Sequence, residues 1–161
     1  MNRKFRSAIL CMSLALPFTV SADAPVQGTM QAFVVESKKG KEILTAAEQV
    51  EPDQLVEYHL TYVNSSKDGI SGLTVTGPVP EGTTYVTDTA KADVTARFRV
   101  SIDGGATFEE EPVIREVVQE NGEVKERIVP ADEYTHLQWQ SRSQLEGKGG
   151  KQLYRYRVRV K

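Results

Sequence analysis

Most of the chemistry that marks an enzyme or a metalloprotein is scarce in this chain. Its 161 residues include one cysteine, one tryptophan, three methionines and two histidines. One cysteine cannot form an intramolecular disulfide or a thiolate zinc site. No apolar run reaches the roughly 20 residues of a membrane-spanning helix. There is no phosphate-binding glycine loop or dinucleotide fingerprint, and no serine lies in a nucleophile-elbow context. No stretch keeps a 3.6-residue apolar period beyond two turns, so the chain does not read as helical. What remains is an ordinary globular composition, 39% apolar and 26% charged, at a length that can bury about 70% of the unfolded surface in one domain.

The N-terminus reads as a leader. Met1 to Arg6 carries three positive charges and no acid, Ser7 to Val20 is nearly all apolar, and Val20-Ser-Ala22 places small residues where a signal peptidase cuts. This pattern predicts a secretory signal peptide over residues 1–22. The apolar run is too short for an anchor, and Cys11 lies inside it without a lipoprotein context. Cleavage would leave 17 basic and 22 acidic residues, a net of −5, which argues against a nucleic-acid binder. It would also remove the only thiol, so packing alone would hold the exported domain. Residues 23–29 read as a flexible leader, and residues 30–161 as a single domain without internal repeats.

That domain is written in short alternating runs. Val56, Tyr58, Leu60 and Tyr62 alternate with Glu57, His59 and Thr61, the pattern of a half-buried strand. Asn64 to Gly69 is a polar turn, and Leu73 to Pro78 is a strand that proline ends. Pro80-Glu-Gly82-Thr then turns the chain into Thr83 to Thr87. Phe98, Val100 and Ile102 alternate with Arg97 and Arg99. Asn121-Gly122 between Val113–Val118 and Val124–Val129 predicts a hairpin with a two-residue type I′ turn, in which Glu116 faces Arg127. In the last strand Tyr154, Tyr156, Val158 and Val160 share one face, and Arg155, Arg157, Arg159 and Lys161 the other. Glycine, proline and asparagine signals between such runs predict an all-β antiparallel sandwich of about seven to nine strands.

The order of motifs resembles a known family. Tyr58-His-Leu-Thr-Tyr-Val-Asn64, then Leu73-Thr-Val-Thr-Gly-Pro-Val-Pro-Glu-Gly-Thr-Thr-Tyr-Val86, is similar to the conserved repeat of bacterial surface and exported proteins called domain of unknown function 11. Ser101-Ile-Asp-Gly-Gly-Ala-Thr-Phe108 and Tyr134-Thr-His-Leu-Gln-Trp139 continue the likeness, which covers about residues 50 to 161. Gly77 stands where that family usually has aspartate. The resemblance implies an immunoglobulin-like sandwich and no activity, with Tyr58, Asn64, Pro78, Pro80, Gly82, Asp103, Gly105 and Trp139 as fold-forming residues. The family is often repeated within long surface proteins, whereas this chain has one copy.

Candidate chemistry is sparse. Ser101-x-Asp103-x-Gly105-x-Thr107-Phe108 resembles an Asp-box turn, a structural motif. A calcium site of Asp103 with Glu109 to Glu111 is the alternative, and it would need six to eight converging oxygens. His59 and His136 could hold a metal only if the fold brought them together with a third ligand. Charge is more informative. Residues 109–133 carry nine acids and three bases, whereas residues 142–161 carry seven bases and one acid. The Arg155, Arg157, Arg159 and Lys161 face either pairs with acids across strands or meets an anionic envelope component or acidic partner. The expectation is an exported, non-enzymatic module of the cell envelope, periplasmic or extracellular, without a cofactor. It would contact a protein or glycan through edge strands, the terminal strands being the plausible edges, and would be a monomer or weak oligomer. The alternative is a small periplasmic metal- or ligand-binding protein.

Overall fold

The computed structural model describes residues 25–161. The expected signal peptide, residues 1–22, lies outside the described residues. Eleven strands follow in order: β1 (Val26–Lys38), β2 (Lys41–Ala46), β3 (Leu55–Asn64), β4 (Thr74–Pro78), β5 (Thr83–Tyr85), β6 (Lys91–Ala92), β7 (Ala96–Ser101), β8 (Ile114–Val118), β9 (Val124–Ile128), β10 (His136–Ser141) and β11 (Gly150–Val160). The one helical element among the described residues is a 3-10 turn, Ala131–Glu133. No helix of the described residues is long and apolar enough to cross a membrane.

The strands form two facing antiparallel sheets and a projecting ribbon. One sheet runs β2-β1-β3-β11-β5, with β6 also on β11; the second runs β4-β10-β7; β8 and β9 pair only with each other. The all-β sandwich expected from alternation is the observed fold. Two expectations fail. Val26 to Thr29 is not a loose leader, because Val26 pairs with Asn64 and Thr29 with Thr61, which makes this segment the start of β1. Nor are the terminal strands edges throughout: β11 lies between β3 and β5, and the second half of β1 between β3 and β2, while residues 26–31 pair with β3 alone among the described residues and form an edge. The reason is that β3 and β11 carry the longest apolar faces, and burying both faces of the core at once requires them side by side.

The core lies between the sheets. Val56, Tyr58 and Leu60 of β3, Tyr154, Tyr156 and Val158 of β11, and Tyr85 of β5 meet Val75 of β4, Val100 of β7, and Leu137 and Trp139 of β10. Each such side chain contributes about 1.5–3 kcal/mol relative to exposure. Aromatic contacts set the geometry. Tyr58 stacks on Tyr156 with ring centroids 5.1 Å apart, and Trp139 sits 5.8 Å from Tyr154, 6.0 Å from Tyr156 and 5.4 Å from Phe98. Tyr62, at the end of the β3 stripe, is only partly buried. There the smaller sheet runs out.

Candidate functional site

Half of the basic face of β11, Arg157 and Arg159, is engaged by its own fold. The Arg157 guanidinium donates from Nε to Glu57 Oε2 at 2.6 Å, and from Nη1 and Nη2 to the two Glu42 oxygens at 2.9 and 2.7 Å. Glu57 Oε1 lies 2.7 Å from His59 Nε2. Burial pushes the Glu57 carboxyl up, but the hydrogen bonds from His59 and Arg157 outweigh it and hold the group below the usual carboxylate range. Arg157 is itself raised, first by its bond to Glu42. Arg159 donates to the Asp53 carbonyl at 2.9 Å. Arg155 and Lys161 are exposed. Arg155 and Arg157 line a cleft of about 260 Å³ with Lys91, Glu42, Glu57 and Asp88. Three cations face three carboxylates there, so the alternation of charges does not amount to a basic patch. Glu42 carries no sequence signal for this role. It lies 115 positions from Arg157, and the β1–β2 arm brings it there.

The Asp103 turn is self-contained. Ser101 Oγ donates to Asp103 Oδ1 at 2.7 Å, Thr107 N donates to the same oxygen at 2.9 Å, and Thr107 Oγ1 donates to Oδ2 at 2.5 Å. These bonds, the Thr107 hydroxyl first, hold the Asp103 carboxyl well below its ordinary range. Gly105 has φ +88° and packs beneath His136. The calcium alternative is not assembled: Glu109 is bound to Arg115 and Glu110 to Arg97, and Asp103 with Glu109 to Glu111 forms no metal-binding group among the described residues. His59 is on the outer face of the larger sheet and His136 on the smaller one. No three His, Cys, Asp or Glu side chains of the described residues form a metal-binding group.

The fold-forming residues lie at corners and in the core. Asn64 is fully buried; its Nδ2 donates to the Asp68 and Leu145 carbonyls at 2.8 and 3.1 Å, and its Oδ1 accepts from Ser66 N at 3.0 Å. Pro78 ends β4. The Pro80 carbonyl accepts from Thr83 N at 3.1 Å, with Gly82 at φ +77°, and the chain passes there from the smaller sheet to the larger. Tyr58 and Trp139 are both part of the core.

The open side of the sandwich is a groove. The larger sheet overhangs the smaller one along the first half of β1. Val26, Gly28, Met30, Leu60 and Tyr62 form the floor, Thr76 and Pro78 of β4 the wall, and the space is about 200 Å³. Among the described residues no charged side chain lines it. In the β4–β10 ladder the odd residues carry the bonds: Ser141 N donates to Leu73 O, and Val79 N donates to Thr135 O, each at 2.8 Å. The backbone groups of Thr74 and Thr76 alternate with these and point to the open edge. Sequence alternation alone had no means of marking Met30 or Thr76.

No family model, no curated protein and no solved structure matches this chain.

Proposed function

We propose that this protein is an exported, non-enzymatic β-sandwich module of the immunoglobulin-like kind, working in the cell envelope by contact with a partner protein. The groove beside β4 carries this reading. An uncharged apolar floor next to a strand edge with free N–H and C=O groups suits an extended peptide, which supplies ladder bonds from its backbone and covers Met30, Leu60 and Tyr62 with alternate side chains. A glycan would leave that floor with little to bury.

A photo-crosslinking residue at Thr76 tests the reading in the cell that makes the protein. The expected result is a discrete envelope adduct that disappears when Met30→Glu places a charge on the groove floor. No adduct from a protein found outside the cytoplasm would overturn it. The second reading, a small periplasmic ligand- or metal-binding protein, is favoured by the cleft of about 260 Å³ around Arg155 and Glu42. Calorimetric titration with divalent metals and small dicarboxylates would support it through one-to-one binding that Arg155→Ala abolishes.

A further inference from the structure

The β8–β9 ribbon presents a face that none of the described residues covers. At its base Val113 and Val129 are buried in the core, and Val129 N donates to Val113 O at 2.8 Å. Beyond the base Ile114 pairs with Ile128, Glu116 with Glu126, and Val118 with Val124. These three rows share one face of the ribbon. Val118 is 69% exposed, Ile128 66% and Val124 58%. A two-stranded ribbon in water is marginal without something packed on a face, and this one leaves two aliphatic rows in solvent.

The middle row says what kind of partner belongs there. Glu116 and Glu126 are directly opposite, an unfavourable like-charge pair. Neither has a cation within 4.0 Å among the described residues. The two arginines of the ribbon lie on its other face, Arg115 bound to Glu109 and Arg127 to Glu133. They brace the ribbon against its flanks and are not available to the glutamates. A second copy docking by the same face about a two-fold axis would bring four carboxylates together, so self-pairing is disfavoured by the charges themselves.

We propose that this face docks an extended segment of another protein that carries a lysine or arginine with an aliphatic side chain two residues to either side. Alternate residues of a strand lie about 6.6–6.8 Å apart, so such a segment sets its cation between Glu116 and Glu126 and its aliphatic chains on the Ile114/Ile128 and Val118/Val124 rows. The surface is distinct from the groove beside β4. The ribbon's base is tied to β7, at the opposite edge of the smaller sheet, through the Val100–Glu109 bridge.

Two capped synthetic peptides test this on the purified protein: leucine, arginine and leucine at alternate positions with serine between, and the same peptide with glutamate for arginine. Amide chemical shifts are followed by NMR. Binding of the arginine peptide should move the amides of residues 114–128, be about tenfold tighter than the glutamate peptide, and vanish in Glu116→Lys/Glu126→Lys. An unchanged Trp139 indole resonance shows that this variant is folded. Equal affinity for both peptides, no shifts at millimolar peptide, or shifts confined elsewhere would overturn the proposal. So would ribbon shifts that depend on protein concentration without peptide, which would assign the face to a second copy.

Discussion

The Tyr156 hydroxyl donates to the Pro78 carbonyl at 2.5 Å, tying β11 of the larger sheet to the last residue of β4 in the smaller one. The contact depends on Gly77. A Cβ there would lie 2.9 Å from Cε1 of the Tyr156 ring, which is fully buried and cannot move aside. Glycine at this corner thus has a local reason: the tyrosine occupies the place of a side chain.

Gly77→Ala should therefore destabilise by about 1–3 kcal/mol, the cost of overpacking a filled core. Tyr156→Phe should cost about 1 kcal/mol, the net value of one hydrogen bond. Urea denaturation of the two variants checks the order. If Gly77→Ala proves neutral, the approach of Tyr156 to β4 is not the constraint it is taken to be.

The Glu57–Arg157 pair should show in the acid limb of stability. Glu57 is only 6% exposed, and its carboxyl is held below the ordinary value. A depressed carboxylate contributes stability that is present above about pH 4.3, its unfolded value, and lost as pH falls through the folded one. Urea midpoints between pH 3 and 7 should decline steeply below about pH 4.5 in the parent protein and less steeply in Glu57→Gln. At pH 7 Arg157→Ala should cost about 2–3 kcal/mol, because it leaves a largely buried carboxylate beside His59 alone.

Alkaline titration should report the aromatic core. Burial raises all six tyrosines, Tyr58 to about 12. A raised tyrosine contributes stability that is present below about pH 10 and lost as pH rises through its folded value. Absorbance at 295 nm should stay flat to above pH 10 and then rise together with loss of near-ultraviolet circular dichroism. In urea the same rise should centre near pH 10. A tyrosinate signal already centred near pH 10 in the folded protein would show a ring open to solvent.

Strand positions were legible because two-residue alternation reports which side chains can share a buried face. Val56 to Tyr62 and Tyr154 to Val160 announced β3 and β11, and Pro80 with Gly82 announced the crossing between sheets. β6, two residues long, had no pattern to display. The ribbon was placed correctly but with its register off by one. Asn121-Gly122 suggested a two-residue turn, whereas Gln119 N donates to Glu123 O at 2.8 Å around a three-residue loop, with Gly122 at φ +81°. The core decides this. Val113 and Val129 must both be buried, and once they pair, every position above them follows, with Glu116 opposite Glu126 and not Arg127.

By itself, then, the sequence determined the all-β class, the strand stretches, the corner residues and the segregation of charge along the chain, because each of these is set by neighbours a few positions apart. Tertiary structure alone decided which charges are free and which surfaces are open. Glu42 and Glu57 reach Arg157 across separations of 115 and 100 residues, and the unequal widths of the two sheets expose the groove beside β4. Both depend on how strands far apart in the chain are ordered, and local alternation carries no information about that order.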